Sequence, residues 1–145
     1  MDWLYEKNKA NTSRYVLGTV GKRPLICIGI NPSTAEPDNL DPTLQSVARI
    51  SAANGFDSWI MLNVYPQRST DPDGLHAQRD YSLDDENMYY IEEIIEAHKP
   101  VIWAAWGTVI TKRPFLINCL NRIIEISKDY QCQWVSAGEV SIQGH

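Results

Sequence analysis

Three runs of this chain are apolar almost without interruption: residues 25–30 (LICIGI), 59–64 (WIMLNV) and 101–106 (VIWAAW). A strand with one wet face alternates polar and apolar residues, whereas a strand covered on both faces reads as a continuous apolar run. The chain therefore has to cover both sides of a sheet. Helical spacing supplies the cover. Residues 43–54 put Leu44, Val47, Ala48 and Ser51 on one face, behind Asp41-Pro42, which reads as an N-cap with proline in the first helical position, and the pattern ends at Gly55. Residues 83–98 align Met88, Ile91, Ile94 and Ile95 opposite a row of acids; Ser82 and Asp85 read as the capping start and Lys99-Pro100 as the stop. A third helix over 114–127, with Leu116, Leu120, Ile123 and Ile124 in line, precedes a short fourth strand at 131–135.

Upstream, residues 14–20 (RYVLGTV) and 25–30 flank a Gly-Lys-Arg-Pro turn and read as a hairpin feeding the first buried strand. The alternation that follows predicts an α/β fold: a three-layer sandwich with a mostly parallel central sheet, right-handed crossovers and an N-terminal β-hairpin. Residues 1–13 read as an extension and 14–145 as a single domain.

Composition sets the outer limits. A chain of 145 residues that is 43% hydrophobic can bury about two thirds of its unfolded surface, which excludes disorder and disulfide-dependent scaffolds. The 13 basic against 18 acidic residues give a net charge of −5. Non-specific nucleic-acid coats are basic because they neutralise phosphates, so any nucleic-acid contact here has to be a local patch. The longest apolar run, 101–110, is half the roughly 20 residues a membrane-spanning helix needs. The start, MDWLYEKNKANTSR, has no apolar signal region. A cytoplasmic protein without membrane attachment is expected. Cys27, Cys119 and Cys132 show no C-x-x-C spacing, and His76, His98 and His145 are scattered. Reduced thiols are expected, and neither a metal site nor a cofactor.

Ligands of open α/β sheets sit outside the carboxyl ends of the strands. Three segments end there: Gly29-Ile30-Asn31-Pro32-Ser33-Thr34, Asn63-Val64-Tyr65-Pro66-Gln67-Arg68 and Trp106-Gly107-Thr108. Asn31 either holds a water or a base edge through its carboxamide, or closes a turn ahead of Pro32. Ser33 and Thr34 either cradle an anion or cap the loop. Arg68 either grips a phosphate or carboxylate, or pairs with Asp71, Asp73 or Asp41. Tyr65 and Trp106 either stack on a planar ligand or pack in the core. Gly107 lets the chain turn or approach a ligand closely. Asp38 and Asp41 serve as turn and N-cap residues or as a general base. No P-loop, G-x-G-x-x-G or G-x-S-x-G motif is present.

Arg14-Tyr15, the run LICIGINPSTA at 25–35, Asp41-Pro42-Thr43, residues 63–68 with Thr70-Asp71-Pro72, and Trp106-Gly107 together resemble the bacterial and phage domain-of-unknown-function family 1643, from about Arg14 to the end. More distantly, Gly29-Ile30-Asn31-Pro32 is similar to the G-I-N-P-G motif of the mismatch-specific branch of the uracil-DNA glycosylase superfamily, with Ser33 in place of the last glycine. Residues 63–66 and Trp106-Gly107 are similar to strand-end segments of that superfamily. The resemblance implies a glycosylase-like fold with Asn31 positioning a water; in an enzyme of that kind Arg68 would hold a phosphate and Tyr65 would stack on a flipped-out base. It also implies a late His-Pro segment, which a chain ending Gln143-Gly144-His145 is expected to lack.

Three functional classes follow. The first is a site for a nucleobase, nucleotide or nucleic acid at the strand rim, in a glycosylase-like enzyme or a descendant without chemistry. The others are a non-catalytic interaction module and a small-molecule hydrolase or transferase with Asp41 or Asp38 as base. The first requires Arg14, Lys22, Arg23, Arg68 and Arg113 to gather on the rim face.

Overall fold

The computed structural model describes residues 2–136 apart from Lys99 and Gly107. Its centre is the LICIGI run. Strand β3 (Pro24–Gly29) is buried along its whole length and has a parallel neighbour on each side, β4 (Ser58–Asn63) and β5 (Val101–Ala104). Beyond β5 lies the parallel strand β6 (Gln133–Ser136). On the other side, β2 (Arg14–Thr19) runs antiparallel to β4, and β1 (Trp3–Lys7) antiparallel to β2. The sheet order is β1-β2-β4-β3-β5-β6, so the chain is α/β with a mixed six-stranded sheet.

The pleat sends alternate residues to opposite faces. Leu25, Cys27, Trp59, Met61 and Trp103 pack against Leu44, Val47 and Ile50 of α1 (Pro42–Ala53). Ile26, Ile28, Ile60, Leu62 and Ile102 face the other way, toward Met88, Ile91 and Ile95 of α2 (Tyr81–His98) and Leu116, Leu120 and Ile123 of α3 (Pro114–Asp129). That division makes the three expected layers. Asp41 caps α1 by accepting the Leu44 amide at 2.9 Å, with Pro42 behind it. At α2 the cap is Asp80, whose carboxylate accepts the Leu83 amide at 3.1 Å, so the helix begins before the expected Ser82/Asp85 pair. The buried Asp84 accepts from Arg79 at 2.9 Å and from Arg122 at 2.8 Å, which ties α2 to α3. Among the described residues no helix is long and apolar enough to cross a membrane.

The expected hairpin is misplaced. β2 and β3 do not pair, because β4 lies between them. The Gly-Lys-Arg-Pro segment carries the chain past the start of β4, where the Asp57 carboxylate accepts the Lys22 and Arg23 amides at 2.9 Å each. The hairpin that does form is β1–β2, with Trp3 opposite Thr19 and Glu6 opposite Val16. Residues 3–7, read as part of an extension, are thus an edge strand of the same sheet. A Gly-Pro-bounded turn marks where a strand ends, and it carries no information on which strand comes next to it.

Gly18 lets β2 close onto β4: a methyl group there would stand 2.4 Å from the Trp59 carbonyl oxygen and 2.8 Å from the Ile60 Cα. Both are backbone atoms and cannot yield without moving the strand. Gly18→Ala is expected to destabilise by about 1–3 kcal/mol, the usual cost of overpacking. Urea unfolding of the two proteins measures it.

Candidate functional site

Because β2 runs against β4, its first residue lies beside the last residues of β4, and the β1–β2 turn is delivered to the carboxyl rim. The Arg14 amide donates to the Pro66 carbonyl at 3.0 Å and the Arg68 amide to the Thr12 carbonyl at 2.8 Å. The loop after β3 joins the same group, with the Ser69 amide donating to the Pro32 carbonyl at 2.8 Å. Asn31 completes the joint. Its Nδ2 donates to the carbonyls of Ser69 at 3.0 Å, Pro32 at 3.1 Å and Gln67 at 3.3 Å. The carboxamide staples two loops together through its nitrogen, and its Oδ1 has no bond among the described residues.

The rim therefore unites two of the three expected segments and adds one that was not foreseen, the hairpin turn. The third segment diverges. Trp106 packs edge-on against Trp134, centroids 5.9 Å apart, beside the core under α2 and α3. Gly107 lies outside the described residues.

Two guanidinium groups meet beneath this rim. Arg14, with 2% of its surface exposed, donates from Nη1 to the Ala35 carbonyl at 3.1 Å. Arg68 donates from Nη1 to the same carbonyl at 3.2 Å and to that of Ser33 at 2.7 Å, and from Nη2 to the Tyr5 hydroxyl at 2.8 Å. Both Nε–H groups are enclosed and unpaired. Arg68 does not pair with Asp71, Asp73 or Asp41: among the described residues no carboxylate lies within ion-pair distance of either arginine. Burial first, and then the neighbouring Arg68 charge, pull the pKa of Arg14 down to about 10, against a weaker opposing pull from Asp41. Arg14 is buried and Arg68 half-buried, and these two like charges are received by carbonyl dipoles and one hydroxyl, a costly arrangement.

Arg68 separates two clefts. One, of about 340 Å³, is lined by Asn11, Ser33, Thr34, Arg68, Ser69 and Thr70, all hydroxyl, amide or guanidinium residues. The other, of about 620 Å³, lies between the hairpin turn and the loop after β4 and includes Thr12, Ser13, Arg68, His76, Asp80 and Leu83 in its walls. Tyr65 lies behind the wall of this second cleft, bonded to two of its lining residues. Its ring is 0% exposed and packs against Phe115 at 5.0 Å, so it has no face for stacking on a ligand. Its hydroxyl bonds His76 Nδ1 at 2.7 Å and accepts the Asp80 amide at 3.1 Å. His76 is pinned from every side: its amide donates to Gln67 Oε1 at 2.8 Å and its carbonyl accepts from Arg113 Nε at 3.1 Å.

The remaining expected residues are structural in their contacts. Gly29 is crowded, a methyl group there falling 2.8 Å from Met61 Cε and 3.3 Å from Asn63 Oδ1. Asn63 is 0% exposed with neither amide atom bonded among the described residues. Asp41 is occupied as the cap of α1, and Asp38 sits at φ 63° in the turn closed by the Glu36 and Asn39 backbone. The five basic residues do not gather. Lys22 and Arg23 are at the amino end of the sheet, and Arg113 is spent on the carbonyls of Asp73, Leu75 and His76. No group of three or more metal-ligating side chains occurs among the described residues.

His76, Asp80, Asn11, Thr12 and Tyr5 were not read from the sequence. The one signal for the turn was the polar stretch Asn8–Lys9–Ala10–Asn11 between two aromatic runs. His76 gave none, since its importance rests on Tyr65 and Gln67, partners fixed only by the fold.

Asn31→Ala removes the shared donor of three carbonyls and is expected to cost about 1–3 kcal/mol, read as a lower urea midpoint. Burial raises the thiol pKa of Cys27, and that of Cys119 to about 12. Cys132, half-buried, is therefore expected to react with a thiol reagent in the native protein well before the other two, which respond only on unfolding.

Among curated proteins and solved structures nothing matches the chain. The sequence profile described as Protein of unknown function (DUF1643) matches residues 14–145. That span contains the paired arginines, the Asn31 staple and both loops that carry the clefts, so by its sequence the chain belongs to the DUF1643 family.

Proposed function

We propose that the chain binds a nucleotide at the carboxyl rim of its sheet, lying across Arg68 with its phosphate in the smaller cleft and its base in the larger. The observation that carries this reading is the pair of guanidinium groups without a carboxylate partner, set beneath the rim of a protein whose net charge is −5. An anion at the rim supplies the missing counter-charge. Of the five donor hydrogens of Arg68, three are taken and the Nε–H is enclosed, which leaves one on Nη2. The hydroxyls of Ser33, Thr34 and Thr70 add donors to a lining without acids, while that of Ser69 is spent on the Asp71 carbonyl. The larger cleft, with amide, imidazole and carboxylate groups, suits the polar edge of a base.

The dispersal of Lys22, Arg23 and Arg113 favours a single nucleotide over a duplex, whose affinity comes from many phosphate contacts. The Asn31 nitrogen is spent on three carbonyls, but its Oδ1 has no bond among the described residues and can accept one from a water. N-glycosidic hydrolysis at that atom is the second reading.

Thermal unfolding against nucleoside monophosphates, nucleosides, inorganic phosphate and short single strands tests the reading. A ligand at 100 times its Kd adds about 2.7 kcal/mol. At roughly 2–4 °C per kcal/mol for a domain of this size, the midpoint rises by several degrees. The nucleotides are expected to shift it more than nucleosides or phosphate alone, and Arg68→Gln to lose most of the shift. No shift with any compound, or one that survives Arg68→Gln, overturns the proposal.

A further inference from the structure

The Tyr65 hydroxyl accepts one hydrogen bond, from the Asp80 amide, and its own proton needs an acceptor. It is fully buried, and among the described residues the one acceptor within reach is His76 Nδ1, at 2.7 Å. Burial raises the hydroxyl's pKa, so the proton stays on it. A phenol that donates to Nδ1 leaves that nitrogen as an acceptor, and a neutral imidazole then carries its proton on Nε2. The backbone that carries the His76 ring is fixed as well. Its amide is fixed by Gln67 and its carbonyl by Arg113, which also holds the carbonyls of Asp73 and Leu75. The ring lines the larger cleft, and Nε2 is neither bonded nor enclosed among the described residues. Asp80 lines the same cleft. One of its carboxylate oxygens accepts the Leu83 amide, and no ion pair or hydrogen bond occupies the other among the described residues.

We infer that Tyr65 locks His76 as its Nε2–H tautomer, and that His76 and Asp80 together read the lactam edge of a nucleobase, a ring carbonyl beside a ring N–H. The inference rests on the nucleotide reading above and adds which base edge is taken. His76 Nε2–H donates to the carbonyl oxygen, and the Asp80 carboxylate accepts the neighbouring N–H. The same carboxylate repels a phosphate from this cleft, so the ligand's orientation across Arg68 is set. A base that replaces the carbonyl with an amino group puts a donor against a donor and a lone pair against a carboxylate. A site built to hydrogen-bond a substrate group rejects analogues that leave its polar atoms unpaired.

Two measurements on the full chain test this. The first is the long-range ¹H–¹⁵N correlation pattern of the His76 ring, without ligand, under alkaline conditions where an imidazole is neutral. A single Nε2–H pattern is expected, giving way to a mixture in Tyr65→Phe. The second compares inosine 5′-monophosphate with adenosine 5′-monophosphate, which differ in the lactam edge alone. The inosine nucleotide is expected to bind at least about tenfold more tightly. His76→Ala is expected to remove the imidazole's share of the difference and leave only what Asp80 supplies, and His76→Gln, which keeps an N–H donor close to the Nε2 position, to retain more of it. Because Tyr65→Phe removes an internal bond, the His76 variants keep the test open should that protein unfold. A Nδ1–H or averaged ring, or equal affinity for the two nucleotides, overturns the inference. If both then bind equally but still depend on Arg68, the nucleotide reading survives; if neither binds, both fall.

Discussion

Strand β3 has no wet face. Its residues from Pro24 to Gly29 are enclosed above, below and on both edges, so the centre of this molecule cannot hold polar chemistry. Everything polar is pushed to where the strands run out. At the amino ends Asp57 gathers the amides of the Lys22-Arg23 turn. At the carboxyl ends the loops have to satisfy one another, and Asn31, Arg14 and Arg68 do so by donating to carbonyls from neighbouring segments. The site is a by-product of this closure: clefts remain where the loops meet imperfectly, and the groups that line them are already held in place.

Such a rim differs from the simplest expectation for an open α/β sheet. The strand order puts the reversal of winding between β3 and β5, where the general rule locates a ligand. The clefts instead lie on the far side of β4, because an antiparallel hairpin has been added there and its turn rises to the level of the strand ends. The hairpin supplies one wall, the loop after β4 the other, and the loop after β3 the end of the trough. Polar preorganisation of this kind holds donors in position before a ligand arrives and leaves less to be ordered on binding.

Much of the fold was legible because burial has a signature. Helix α1, expected over 43–54, runs Pro42–Ala53, and the four strands of the parallel block fall within a residue or two of where they were expected. The end of Trp106 in the core rather than at the rim was also one of the two readings its ring allowed. What stayed hidden was pairing. Whether RYVLGT lies beside LICIG is decided by competition between strands for edges, and a turn motif says nothing of that competition. The site followed the same division. Arg68, Asn31 and Ser33 were visible as polar residues beyond buried strands, whereas His76 acquires its place from a hydroxyl eleven residues away in sequence. Tyr65 shows the limit most clearly. Its ring packs in the core while its oxygen bonds two residues of the cleft wall, and one residue letter encodes both.

The hairpin is joined to the parallel block by a short ladder, Leu17 opposite Met61 and Gly18 opposite Ile60, and by a few loop bonds at the rim. Side chains hold it more firmly than that ladder does: every residue of β2 is buried, Tyr15 and Val16 in one half of the core and Leu17 in the other, so the hairpin cannot detach without opening both. A molecule seated between residues 11–13 and 76–80 touches the turn of that hairpin on one side and the loop after β4 on the other, and finds both walls rooted in the same packed core.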